Sequence, residues 1–131
     1  MTIRVVASVI RREGRFLVCQ RPTGKRHGGF WEFPGGKVEA GETDFQAVER
    51  ELGEELDVRV REVGRPLFSM TDPGSSFLVH FVPVEIEGQP RALEHSAIAW
   101  ATTGELLNLP LAPADRRFAR HLSEFPPPIG A

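Results

Sequence analysis

The chain has 131 residues, 40% hydrophobic and 26% charged, with a formal net charge of −2. That length supports one packed core and not two, so a single domain over residues 1–131 is expected. The near-neutral charge argues against a nucleic-acid polymer or an anionic membrane as partner, and the lone Cys19 excludes an intramolecular disulfide and points to a reducing compartment.

The N-terminal run Met1-Thr2-Ile3-Arg4-Val5-Val6 lacks the apolar stretch of a signal peptide. No later segment approaches the ~20 apolar residues of a membrane span. A cytoplasmic location and no membrane partner are the default expectations. Ile3 to Ile10 is rich in β-branched residues and predicts a strand, followed by a turn over residues 11–14 and a second hairpin strand from Arg15 to Gln20. Cys19 fits there as a small core residue. Pro22 to Gly29 is a polar loop carrying Lys25, Arg26 and His27. Phe30 to Phe33 predicts a short extended segment, and Pro34-Gly35-Gly36 a break in regular structure.

Thr43 or Asp44 is placed to cap a helix from Phe45 to Leu56. Strand character returns at Val58–Val63 and Leu67–Met70, and residues 72–75 read as a loop. Ser76 to Ile86 is the strongest strand signal, with Pro83 implying an edge position or a bulge. A short strand is expected from His95 to Trp100, then helices over Thr103–Leu107 and Pro113–Leu122, the second with Pro113 near a first helical position. Phe125-Pro126-Pro127-Pro128 closes the domain, with frayed residues after it. Interspersed strands and helices place the chain among α/β or α+β folds.

Eight of the 18 acidic residues fall between positions 39 and 57, where Arg50 is the one basic residue. At about 100° per residue, Phe45, Val48, Leu52 and Leu56 share an arc of roughly 80°, a core stripe. Glu51, Glu54 and Glu55 share an arc of about 100° on the adjacent flank. Like charges at these spacings destabilise a helix by a few tenths of a kcal/mol each. A solvated acidic face interleaves lysine to relieve the repulsion, and this one does not. A hard divalent cation converts it into binding: Mg²⁺ takes octahedral oxygen ligands and uses few carboxylates beside water and phosphate. Gly35-Gly36 permits close backbone approach, so a carbonyl there is a candidate ligand, with a structural turn as the alternative. The spacing is neither a Walker loop nor an EF-hand.

Gly36-Lys37-Val38-Glu39-Ala40-Gly41-Glu42, seven residues, then Arg50-Glu51-Leu52-Gly53-Glu54-Glu55-Leu56-Asp57-Val58 resembles the Nudix box. The match spans 23 residues and departs at one position, Asp57, where the family has glycine. Aspartate adopts the left-handed conformation better than most residues, so a stability cost is expected there and no loss of chemistry. Trp31-Glu32-Phe33-Pro34-Gly35-Gly36-Lys37, Glu94-His95 before Trp100, and Leu109 to Arg117 extend the resemblance to the MutT-like branch, over roughly Ile3 to Leu122.

The resemblance implies a Nudix-type α/β/α sandwich around a mixed β-sheet, and a Mg²⁺-dependent pyrophosphohydrolase, with Mn²⁺ as a substitute. It implies that Glu54 and Glu55 bind metal with a carbonyl from Gly35 or Gly36. Glu51 binds metal or orients and deprotonates the attacking water, and Glu94 joins the metals or acts as base. Arg50 pairs with Glu42 and braces the catalytic helix. Arg21 contacts nucleotide phosphate or base, and Lys37 lends charge at the phosphate end. Phe33, Phe77 and Phe81 are candidates for a stacking wall, though strand aromatics more often serve the core. Asp115 stands where the oxidised-guanine hydrolase has an asparagine that reads the base edge. An ionised Asp offers acceptors alone and favours exocyclic amino donors, as on cytosine; protonated by burial, it also suits oxidised guanine.

The expected substrate is a nucleoside triphosphate, either 8-oxo-dGTP or a CTP/dCTP-type nucleotide, cleaved to a monophosphate and pyrophosphate by a monomer or homodimer. Competing readings are hydrolysis of a dinucleotide or nucleotide sugar, and a catalytically silent ligand sensor. The complete set Glu42, Arg50, Glu51, Glu54 and Glu55 weighs against the sensor.

Overall fold

The computed structural model describes residues 2–126. The chain opens with β1 (Ile3–Val9) and runs through β2 (Arg11–Arg12) into β3 (Arg15–Gln20). Glu13 and Gly14 both have positive φ, 51° and 76°, and join Arg12 to Arg15 across a two-residue hairpin. Positive φ at both central residues matches the right-handed twist of the flanking strands. Then come β4 (Trp31–Glu32), β5 (Gly35–Lys37), α1 (Asp44–Leu56), β6 (Arg59–Val63), β7 (Phe68–Thr71), β8 (Phe77–Glu87), β9 (Ala97–Ala101), α2 (Thr103–Asn108) and α3 (Pro113–Glu124). Residues 127 and 128 of the expected proline-rich end lie outside the described residues.

One sheet has the order β5-β1-β8-β6, with β7 also paired to β8; the other has the order β2-β3-β4, with β9 paired to β3. β1 and β8 run parallel from Ile3↔Phe77 to Val9↔Pro83, and their other neighbours in the sheet run antiparallel. Alternation along the strands then makes two cores. Ala7 and Val9 of β1, Phe16 and Val18 of β3, and Val79 and Phe81 of β8 pack with Leu106, Phe118, Ala119 and Leu122 from α2 and α3. Val6, Ile10, Leu17, Cys19, Val82 and Val84 pack with Ala47, Val48, Leu52 and Leu56 of α1 on the opposite face. Helices therefore cover both faces of a mixed β-layer, as the period of two along a strand requires when both faces are apolar.

Four expectations are corrected. Pro83 is not on an edge strand: β8 is central, and Pro83 sits where its partner changes from β7, ending at Phe81, to β6, beginning at Val84. No ladder donor is needed at that changeover, while the Pro83 carbonyl still accepts from Gly64 N–H at 2.9 Å. The bulge falls on β6 instead, where the register shifts between Val60 and Glu62. The break expected at Pro34-Gly35-Gly36 is confined to Pro34: Gly35 and Gly36 pair antiparallel with Ala7 and Val6. Phe45, in the first turn of α1, is 37% exposed and leaves the core stripe to Ala47, Val48, Leu52 and Leu56.

Thr43 is the cap of α1. Its hydroxyl accepts from Gln46 N–H at 3.1 Å, and the Gln46 side chain accepts from Thr43 N–H at 2.9 Å. At the other end Asp57 is left-handed, φ 56° and ψ 46°, and its carboxylate accepts from Arg91 at 2.8 Å. That conformation costs a residue with a Cβ about 1 kcal/mol. Asp57→Ala therefore lowers stability by about 1 kcal/mol in chemical denaturation, because alanine lacks aspartate's local polar contacts. Asp57→Gly does not, since relief of the backbone offsets loss of an exposed ion pair.

Candidate active site

The two glycines before α1 bring backbone against carboxylate. A Cβ on Gly35, whose φ is 153°, would lie 1.9 Å from the Val6 carbonyl oxygen, and one on Gly36 would lie 2.5 Å from Cδ of Glu51. A side chain at Gly35 would push β5 off β1, and one at Gly36 would displace the Glu51 carboxylate. Arg50 closes the junction from the outside. Its Nε and Nη2 donate to Glu42 at 2.8 and 2.9 Å, its Nη2 to the Lys37 carbonyl at 3.0 Å, and its Nη1 to Glu51 Oε1 at 2.7 Å. The Arg50 hydrogen bonds, with the Glu39 N–H as a second donor, hold the Glu42 carboxyl down at about 2. The pairing expected between Arg50 and Glu42 is present, and it also fixes one oxygen of Glu51.

Glu51 also lines a cavity of about 400 Å³, together with Glu32, Glu55, Glu94, His95 and Gly35, and with Arg21, Pro22 and Lys25. Glu55 is 4% exposed and belongs to the buried stripe of α1, not to its flank. Burial, then the hydrogen bond and charge of Glu51, push its carboxyl up to about 10. One of its oxygens, Oε2, is buried with no hydrogen-bond partner. His95 Nε2 lies 2.9 Å from Glu32 and 3.7 Å from Glu55, and its Nδ1 is likewise buried and unpartnered.

An orphaned carboxylate oxygen beside a second carboxylate and a glycine backbone is an all-oxygen donor set. It fits a hard divalent cation that draws its remaining ligands from water and phosphate. Among the described residues, no group of three His, Cys, Asp or Glu side chains is arranged to hold a metal by itself. Glu54, the third carboxylate of the helix, is exposed and lines neither this cavity nor its neighbour. Glu94 is also exposed, but it does border the cavity.

A second cavity of about 440 Å³ shares Arg21, Glu32 and Gly35 with the first. Its walls are largely apolar, with Val5, Ala7, Phe33, Phe77, Val79 and Ala114, and Gly36, Lys37, Arg26 and His27 also border it. Phe81, by contrast, is fully buried in the core. Asp115, in the first turn of α3, is 9% exposed, and its Oδ1 accepts from Phe33 N–H at 2.9 Å. Burial raises its carboxyl to about 8, with the charge of Glu32 adding to the effect and the Phe33 N–H opposing it. Lys37 Nζ stands 5.4 Å from the Phe77 ring centroid. The Arg21 guanidinium borders both cavities but is engaged, donating to Glu32 at 3.1 Å and to the Arg26 carbonyl at 2.6 Å.

Glu32 and His95 belong to the site without having been assigned a role from sequence. The usable signal for Glu32 is its place between Trp31 and Phe33: alternation in an extended segment turns it away from the apolar side.

Comparison with known proteins agrees with this arrangement. Residues 1–122 match the NUDIX domain family. The CTP pyrophosphohydrolase of Escherichia coli K12 is 43% identical over 117 residues, covering 86% of this chain and 85% of that protein. The putative 8-oxo-dGTP diphosphatase 2 of Mycobacterium tuberculosis H37Rv is 39% identical over 126 residues, covering 91% of this chain and 86% of that one. A MutT structure described for Aliivibrio salmonicida and Vibrio cholerae superposes with a TM-score of 0.80 at 32% identity, over 95% of this chain and 100% of that one. The chain belongs to the Nudix family, with its α/β/α sandwich fold, and is a hydrolase acting on phosphoanhydride bonds.

Proposed function

We propose that this single-domain Nudix hydrolase is a nucleoside triphosphate pyrophosphohydrolase of MutT type, releasing a nucleoside monophosphate and pyrophosphate. One observation carries the reading: an apolar cavity with a buried hydrogen-bonding carboxyl at Asp115 adjoins the carboxylate cavity across Arg21, Glu32 and Gly35. A base in the first cavity leaves its phosphate chain in the second. Relatives named for CTP and for 8-oxo-dGTP support the same substrate class.

Nudix enzymes generally use a divalent cation, commonly Mg²⁺. Here Glu51, Glu55 and a carbonyl of Gly35 or Gly36 would hold it, with Glu94 bordering the same cavity, Glu54 on the exposed side of α1, and Mn²⁺ as a substitute. When bound, such an ion lowers the pKa of coordinated water and neutralises charge on the transferring phosphoryl group. The chain's own residues do the rest. Arg50 clamps Oε1 of Glu51, so the other oxygen orients the attacking water and takes its proton. Lys37, expected at the phosphate end, borders the base cavity instead, beside the Phe77 ring.

Asp115 sets the base. With its carboxyl raised to about 8, it is protonated at neutral pH and offers both a donor and an acceptor, as an asparagine does. That suits oxidised guanine. Ionised, it offers acceptors alone and suits the amino group of cytosine. Both substrates fit one cavity, and pH moves the balance between them.

A panel of nucleoside triphosphates with oxidised and methylated bases, scored by kcat/KM with Mg²⁺, tests the assignment. Highest values are expected for 8-oxo-dGTP and CTP-type substrates; turnover of a dinucleotide or nucleotide sugar alone would refute it. Glu51→Gln keeps the Arg50 contact and the melting temperature, and lowers kcat by at least about a hundredfold through loss of the base. Between pH 4 and pH 8 the folded state keeps an Asp115 proton that the unfolded chain, near 3.8, has lost, so stability from this group falls as pH rises to about 8. Asp115→Asn removes that slope, which thermal melts across pH detect as a gain relative to the parent on going from pH 5 to pH 8. The preference for 8-oxo-dGTP over CTP falls through about pH 8 in the parent and stays flat in the variant.

A further inference from the structure

The basic loop between β3 and β4 takes no part in the chemistry above, yet its shape is closely specified. Arg21 N–H donates to the Phe30 carbonyl and Gly29 N–H to the Arg21 carbonyl, both at 2.9 Å. Gly28 N–H donates to the Lys25 carbonyl at 2.9 Å, and Phe30 N–H to the His27 carbonyl at 3.1 Å. A Cβ on Gly28 would lie 2.9 Å from the Pro22 oxygen, and His27 is held left-handed at φ 58°.

In that shape two consecutive cations part company. Lys25 borders the carboxylate cavity, and Arg26 borders the base cavity. Arg21, which borders both, has its guanidinium committed to Glu32 and to the Arg26 carbonyl. Neither the Lys25 ammonium nor the Arg26 guanidinium has a hydrogen bond or ion pair within the described residues. A lysine that shares a cavity with four glutamates and pairs with none stands back from all of them. The gap suits an anion, which needs the positive charge if it is to enter so acidic a space. A compact ammonium serves a phosphate group as a point charge without demanding one orientation.

We propose that Lys25 grips the terminal, pyrophosphate half of the substrate while Arg26 holds the nucleoside monophosphate half, so that adjacent residues clamp the two products separately. This rests on the triphosphate reading above. Its test is product inhibition of the full chain, with Mg²⁺ present. Lys25→Ala is expected to raise the Ki of inorganic pyrophosphate about tenfold and to leave that of the monophosphate within about twofold. Arg26→Ala is expected to do the reverse, and Lys25→Arg to restore pyrophosphate inhibition. Thermal melts of each variant separate a folding defect from a binding one. Equal weakening of both inhibitors by Lys25→Ala, or of neither, overturns the proposal. If the parent makes no monophosphate from any triphosphate, the functional assignment fails. Equilibrium titration of pyrophosphate into parent and Lys25→Ala proteins then still decides the role of Lys25, with equal affinities counting against it.

Discussion

Helix α1 buries a carboxyl where its neighbours bury methyl groups. Glu55 lies in the same stripe as Val48 and Leu52, against the β-layer, with an oxygen that meets no partner. An unpaired buried carboxylate costs several kcal/mol, so in the chain alone it keeps its proton. The surroundings are arranged around that difficulty. Gly36 omits a side chain so that Glu51 can come close, Arg50 fixes Glu51 from outside, and His95 bridges the gap between Glu32 and Glu55. Such a site favours positive charge, which would relieve the buried carboxyl.

Legibility followed the range of the interaction. The Thr43 cap, the Arg50–Glu42 pair and the left-handed Asp57 each depend on residues within a few turns of one another; local sequence narrowed the cap to Thr43 or Asp44, and the resemblance to the Nudix box supplied the other two. The burial of Glu55 depends on β-strands dozens of residues away. On a helical wheel it sits at the border between stripe and flank, and only the tertiary packing assigns it to the core. Pro83 teaches the same lesson. A proline argues for a missing ladder bond, but an edge, a bulge and a change of partner all supply one, and the third is visible only once β6 and β7 are seen to share β8. Phe45 shares the angular position of the stripe, yet in the first turn of α1 it stays 37% exposed. Glu32 and His95, far apart in sequence, meet across 2.9 Å through β4 and the segment before β9, and no local pattern carries that meeting.

The apolar and carboxylate cavities are separated by groups already satisfied by one another. Arg21 and Glu32 form an ion pair in which both side chains are largely shielded, and the same two residues line both sides. Such a partition keeps a cation beside both cavities without leaving it free to collapse onto the remaining carboxylates. The specificity proposed for Asp115 and the chemistry proposed for Glu51 can then vary independently, because no hydrogen bond links the two side chains directly.

The parallel pairing of β1 with β8 also sets an order of events during synthesis. The carboxylates of α1 and the glycines of β5 are all made by residue 56, yet the sheet they lean on is completed by a strand that begins at Phe77. Closing that pair joins segments more than seventy positions apart, a slow step by the logic of contact order. A chain still on the ribosome at that stage carries a finished acidic helix whose apolar stripe still lacks the Val82 and Val84 part of its core. The Arg50–Glu42 clasp and the Thr43 cap, both local, are the interactions able to hold that half-site together while it waits for its platform.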